Sequence, residues 1–250
     1  MTTTIQILPD INTLSRHAAS IFLNLSKTSI ASQGKFTVAI SGGSTPRRLY
    51  SLLASEQYRD KVMWNRVHFF WTDERCVPKD SEESNFKTAF DALFSKIPLP
   101  AQNIHRIKGE LPPEKAAEDY ANDIRKFFGK SEVIFNLVIL GIGEDGHTAS
   151  LFPGSKALEE TKRLAVPVYP VRNNFSNGVN MKKNKINRVT LTLPVLNNAA
   201  QTLFLAAGRS KADIILKVLG NRDKSYPAGL INPVHGTVQW LLDKDVAGKI

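Results

Sequence analysis

Residues 136–155 read NLVILGIGEDGHTASLFPGS, and the reading of this stretch decides the fold. Residues 137–140 are an uninterrupted apolar run of strand length, the pattern of a strand buried on both faces. The run stops in a glycine-rich loop, Gly141-Ile142-Gly143-Glu144-Asp145-Gly146, which delivers His147 and Thr148 to the start of a short helical segment that Pro153 ends. In an open α/β sheet, ligands bind just past the carboxyl ends of strands. A general base and closely approaching backbone amides therefore meet in this loop.

Outward from this loop, the same alternation recurs. Residues 4–8 and 36–40 read as strands, with a helix from the Asp10 cap to about residue 25 between them. After residue 40 comes Ser41-Gly42-Gly43-Ser44-Thr45, and Pro46 opens a helix over 47–54. Strand, Gly/Ser/Thr loop and helix start form an anion cradle of free amides and hydroxyls, or an ordinary turn. Residues 67–71 are a further strand, followed by three adjacent charges, Asp73-Glu74-Arg75, each of which must be solvated or paired. A helix from a cap within 81–85 to about 94 and an amphipathic one over 113–128 come next. Beyond the central loop, 164–168, 188–193 and 202–206 read as strands, and 194–199 as a helical turn. Residues 169–187 read as an exposed excursion. Gly208 is followed by a helix capped by Ser210 and running to about 219, while 238–242 fits either strand or helix. The whole predicts a single α/β domain, residues 1–250, with a mostly parallel sheet and helices on both faces.

Composition narrows the function. The chain has 250 residues, 42% of them hydrophobic, enough for a full core. Its one cysteine, Cys76, rules out an internal disulfide and suits a reducing compartment. The N-terminus has no basic region leading into an apolar one, and no stretch approaches membrane-spanning length, so neither secretion nor a membrane partner is expected. The net charge of +10 is local: residues 161–212 hold nine Lys or Arg and no Asp or Glu, leaving the rest near neutral. That basic stretch fits an anionic ligand, a nucleic acid or a solvated surface. Aromatic residues are not interleaved with the charges, which argues against nucleic acid.

Motif by motif, other chemistries fall away. Gly141-x-Gly143-x-x-Gly146 matches the dinucleotide fingerprint as a string, but Pro153 denies it the long helix that fingerprint needs. No lysine follows the last glycine as in a Walker loop, no Gly-x-Ser-x-Gly elbow exists, and the five histidines make no His-Glu-x-x-His pair, so no metal site is expected. His147 remains as the acid–base group, since its ordinary pKa lies near neutrality. Asp145 either orients its imidazole or caps the turn. Arg188 and Lys211, at sheet edges, either clamp a phosphate or are solvated bases.

SGGSTP (41–46), WTDERCVP (71–78), LGIGEDGHTASLFPGS (140–155), RVTLTLPVLNNA (188–199) and GRSKAD (208–213) together resemble the 6-phosphogluconolactonase family, in its order and over nearly the whole chain. The resemblance implies a Rossmann-like α/β fold shared with glucosamine-6-phosphate deaminases and ribose-5-phosphate isomerases. It implies hydrolysis of 6-phospho-D-glucono-1,5-lactone to 6-phospho-D-gluconate, the second step of the oxidative pentose phosphate pathway, with no obligate metal or cofactor. A cytoplasmic monomer or weak homodimer is expected. Catalysis falls to His147, Arg75 and Asp145, and substrate binding to Ser41, Gly42, Gly43, Ser44, Thr45, Asp73, Gly143, Arg188 and Lys211. Deaminases of the same broad family follow Asp-Glu with tyrosine and read like GHIAFNEP. This chain has Arg75 and GHTASLFP, which favours the lactonase. The approach to Arg188, residues 177–187, is rich in lysine and asparagine where the family has proline.

Overall fold

A computed structural model describes residues 2–170 and 186–250. Most of the expected excursion over 169–187 therefore lies outside the described residues. In chain order the first half contains β1 (Thr2–Leu8), α1 (Ile11–Gln33), β2 (Phe36–Ile40), α2 (Ser44–Leu53), α3 (Glu56–Arg59), β3 (Val67–Trp71), β4 (Asp73–Arg75), α4 (Asn85–Ala92), β5 (Ile104–His105) and α5 (Pro113–Phe128). The second half contains β6 (Leu137–Leu140), β7 (Ala165–Val168), β8 (Arg188–Leu191), α6 (Leu193–Leu196), β9 (Gln201–Ala206), α7 (Ala212–Ile215), β10 (Thr237–Asp243) and α8 (Lys244–Ala247).

Seven strands form one sheet in the order β1-β10-β9-β6-β2-β3-β5, and every adjacent pair is parallel. All of β2 and all of β6 are buried, as strands covered on both faces must be. From β2 the chain builds outward through β3 to β5; from β6 it builds the other way through β9 to β10. The reversal lies between β2 and β6, and such a switch opens a crevice at the strands' carboxyl ends.

The α/β reading with a mostly parallel sheet holds, and several local expectations are corrected. Helix α1 runs to Gln33, eight residues past the expected end, and stops at Gly34 with φ 75°. The hydroxyls of Ser26, Thr28 and Ser32 bond back to carbonyls three or four residues earlier, so this polar run stays helical. Helix α2 begins at Ser44, not Arg47; Pro46 sits in its first turn, where a missing N–H leaves no bond unmade. Helix α4 starts from the Ser84 cap, as expected, but ends at Ala92. Residues 148–153 make turns and one bridge, Thr148 to Leu151, instead of a short helix. Ser210 caps nothing: a 3-10 turn over Arg209–Lys211 leads into α7, which widens into a π turn over Leu216–Gly220. Residues 237–243 are a strand because they fill the gap between β1 and β9.

A second sheet was not anticipated. β4, β8 and β7 pair antiparallel, with Asp73 opposite Thr190 and Arg75 opposite Arg188. The three charges after β3 are thus a short strand. This small sheet carries three of the expected site residues, Asp73, Arg75 and Arg188, with the two arginines side by side.

Candidate active site

Segments on or just after five strands converge on one open cleft of about 150 Å³. The loop after β2 brings Ser41, Gly42, Gly43, Ser44 and Thr45, and β4 brings Asp73 and Arg75. The loop after β6 brings Gly143 and His147, β8 brings Arg188, and the turn after β9 brings Lys211. Every expected site residue lines this cleft except Asp145, which stands behind His147.

The imidazole is held by its own loop. His147 Nδ1 lies 2.5 Å from Asp145 Oδ1, and the same oxygen accepts the His147 backbone N–H at 3.2 Å. Asp145 thus makes both contacts expected of it as alternatives, one to the imidazole and one that caps the turn through the His147 N–H. Burial works to raise the Asp145 carboxyl, but the hydrogen bond and charge of His147 outweigh it and hold the group below its ordinary value. With Nδ1 engaged, the cleft-side nitrogen Nε2 has no hydrogen-bond partner among the described residues. Gly143 is needed for this arrangement: a Cβ there would overlap both the imidazole and the Asp145 carboxylate. Phe152 packs on the ring at a centroid distance of 4.5 Å, and the Arg188 guanidinium lies 5.5 Å from the same phenyl ring.

Opposite stands the β2–α2 loop. Gly43, with φ 106°, turns the chain so that the free amides of the first turn of α2 face the cleft region, the backbone arrangement that favours an anion. The Ser41 hydroxyl is buried and has no partner among the described residues. Burial lowers the Lys211 ammonium from its ordinary value, opposed by Glu144 and Asp243. Among the described residues no carboxylate lies within salt-bridge distance of Lys211.

The third wall is a polar network. Asp73 Oδ2 accepts the Ser150 hydroxyl at 2.6 Å and lies 3.9 Å from Arg188 Nη1. Burial lowers the Arg188 guanidinium, and the charge of Asp73 opposes this. Arg75 is anchored by donating from Nη1 to the Glu83 carbonyl at 2.6 Å. Beside it, burial, with the charge of Glu74, pushes the Cys76 thiol up to about 11.

Sequence reading missed Asn85, Phe152, Ser150 and Glu74. Asn85 lines the cleft and Ser150 and Phe152 adjoin it, yet as a residue in a helix cap region and two residues in a turn they carry no separate signal. Glu74 had one, as the middle member of three charges that had to find partners. Among the described residues no cluster of three His, Cys, Asp or Glu has the geometry to hold a metal ion, and no helix is long and apolar enough to cross a membrane.

An apolar strand ending in a His-bearing glycine loop, opposite a Gly/Ser/Thr turn and half-buried cations, has counterparts in known proteins. The family model for glucosamine-6-phosphate isomerases/6-phosphogluconolactonase matches residues 9–240. The 6-phosphogluconolactonase of Nostoc sp. is 35% identical over 249 residues, covering 97% of this chain and 96% of that one. The rat 6-phosphogluconolactonase is 38% identical over 221 residues, covering 86% and 80%. The crystal structure of 6-phosphogluconolactonase from Thermotoga maritima superposes with a TM-score of 0.81 at 33% identity, covering 96% of this chain and 100% of that one. With the family model matching residues 9–240 and relatives more than 30% identical over most of their length, the chain belongs to the glucosamine-6-phosphate isomerase/6-phosphogluconolactonase family.

Proposed function

We propose that this protein hydrolyses 6-phospho-D-glucono-1,5-lactone to 6-phospho-D-gluconate, the second step of the oxidative pentose phosphate pathway. The observation that carries the reading is one cleft lined by an Asp-supported imidazole and, drawn from distant segments, an anion-binding turn and three cationic side chains.

A lactone is an activated ester, so the enzyme has to position and deprotonate water. His147 takes a proton from water as the water oxygen attacks the lactone carbonyl carbon, and Asp145 stabilises the imidazolium that forms. Negative charge grows on the carbonyl oxygen, where Arg75 or the backbone amides of the 141–148 loop receive it. The bond from the carbonyl carbon to the ring oxygen then breaks, and His147 returns the proton to that oxygen. Ser41, Gly42, Gly43, Ser44 and Thr45, with Arg188 and Lys211, grip the 6-phosphate. Gly143 lets the imidazole approach, and Asp73 supplies a fixed acceptor for the polyhydroxyl part of the substrate. Gripping the remote phosphate holds the ring over His147, so binding energy serves orientation. The acid-free segment 161–212 favours arrival of a dianion.

A coupled assay with freshly prepared lactone, corrected for spontaneous hydrolysis, tests this directly, with glucosamine 6-phosphate run in parallel. Lactone turnover without deamination is the expected result; deamination alone would overturn the reading. We propose further that residues 1–250 act as one domain, supported by the single continuous core, and as a cytoplasmic monomer or weak homodimer. Light scattering after size-exclusion chromatography reads the oligomeric state.

A further inference from the structure

Glu74 is the buried charge that the chemistry above does not use. Only 2% of the residue is exposed, and among the described residues no lysine or arginine side chain lies within salt-bridge distance of it. Its carboxylate instead accepts four hydrogen bonds. Oε1 receives the backbone N–H of Arg75 at 2.8 Å and of Asn85 at 2.7 Å. Oε2 receives the Phe86 N–H at 2.7 Å and the Ser84 hydroxyl at 3.0 Å. Three of the four donors belong to consecutive residues at the start of α4. Burial nonetheless raises the carboxyl to about 6, against the pull of those amides.

A buried carboxylate is a costly way to cap a helix, and α4 has a cap already, since Ser84 Oγ accepts the Lys87 N–H at 3.1 Å. What Glu74 adds is location. It pins the first turn of α4 to β4, and the residue so placed is Asn85. Asn85 Nδ2 donates to the Asp73 carbonyl at 2.9 Å. Its Oδ1 presses so close on Gly42 that a Cβ at that position would overlap it. Asn85 thus touches the β2–α2 turn on one side and the Asp73–Arg75 strand on the other, and all of these line the cleft.

We propose that Glu74 is a positioning residue for substrate binding: through Asn85 it sets the spacing between the phosphate-gripping turn at Gly42 and the wall formed by Asp73 and Arg75. This rests on the assignment of residues 41–45 and Lys211 to the substrate phosphate. A purely structural Glu74 would lower stability and leave the Michaelis constant alone. A positioning Glu74 acts on KM more than on kcat, and its effect vanishes once Asn85 is gone.

The test is a double-variant cycle in steady-state kinetics at neutral pH, with folding followed by circular dichroism. Glu74→Gln keeps the size but presents an amide NH2 to backbone donors. It is expected to raise KM about 10-fold and to lower kcat less than about threefold. Asn85→Ala should do the same, and Glu74→Gln in the Asn85→Ala background should add nothing. A folded Glu74→Gln with wild-type KM, or KM effects that multiply in the double variant, overturns the inference. Should Glu74→Gln fail to fold, Ser84→Ala replaces it in the cycle. That variant removes one of the four donors and should raise KM about twofold to threefold, but not in the Asn85→Ala background; an unchanged KM, or an effect that persists there, is the overturning result. Lys211→Ala serves as the control for the underlying assignment. If it raises KM while the Glu74 variants do not, the positioning role alone fails; if Lys211→Ala has no effect on KM, the phosphate assignment fails first.

Discussion

Two histidine–aspartate pairs occur among the described residues, and of the two only the histidine of one lines the cleft at the strand ends. His147 and Asp145 share a glycine loop at the carboxyl end of β6, 2.5 Å apart. His105 and Asp123 link β5 to α5 at the edge of the large sheet, 2.9 Å apart. Their hydrogen bonds alone would not separate them. Their other neighbours do. His105 is stacked on Phe70 with the rings nearly parallel, and its second nitrogen is taken up by His68 at 3.2 Å. Both nitrogens are occupied inside an aromatic cluster. His147 has one nitrogen supported and the other without a partner among the described residues, in a cleft that half-buried cations also line. A His–Asp pair becomes chemistry only where one ring nitrogen is left over and a reactant has somewhere to sit.

The sharpest way to break this contrast is to remove each imidazole in turn. His147→Ala should reduce lactone turnover about 10³-fold with folding intact, whereas His105→Ala should leave turnover within about twofold and lower thermal stability instead. Matched losses in the coupled assay would erase the distinction. Next in size, Asp145→Asn should cost about 10-fold to 100-fold in kcat, because the imidazole loses both its orientation and its counter-charge. Asp123→Asn should cost nothing measurable in the same assay. The cations extend the comparison: Lys211→Ala should raise KM about 10-fold, while Lys35→Ala, whose ammonium lies over the Phe127 ring near the second pair, should not. The smallest effect is on acid stability. Burial pushes the His68 imidazole down to about 4, with the charges of His105 and Lys35 acting in the same direction. The unfolded chain protonates this group near its ordinary value of about 6.5. Between those two values the unfolded state binds more protons, so stability is full above about 6.5 and falls as the pH drops toward 4. Urea denaturation of His68→Gln across that window should show a shallower loss than the wild type; identical slopes would remove His68 from the account.

What could be read in advance followed from periodicity and from backbone chemistry. Residues 36–40, 67–71 and 137–140 read as buried strands because they are almost wholly apolar, with Thr37 and His68 as the two polar exceptions. Gly42-Gly43 and Gly141 to Gly146 marked the close backbone approaches that follow them. The end of α1 was misplaced because serine is counted against helix on propensity, yet Ser26 and Ser32 satisfy their hydroxyls within the helix. The second sheet was invisible because β4 has three residues, too few to show an alternation, and its partner β8 comes more than a hundred residues later. Glu74 and Asn85 escaped notice for a related reason. Their contacts join residues 42, 73, 74 and 84–86, and no spacing rule links those positions.

By itself, then, the order of residues determined that segments such as 36–40, 67–71 and 137–140 are strands and where the glycine loops lie, and it singled out His147 as the candidate acid–base group. These are local properties, set by side-chain hydrophobicity and by the few backbone conformations glycine permits. Only the tertiary structure decided that His147, Gly42, Arg188 and Lys211 meet over one cleft, that Phe152 lies between His147 and Arg188, and that Glu74 holds α4 in place. Those are distances between segments far apart in the chain, and they exist only once the parallel sheet has closed and its switch point has drawn the strand ends together.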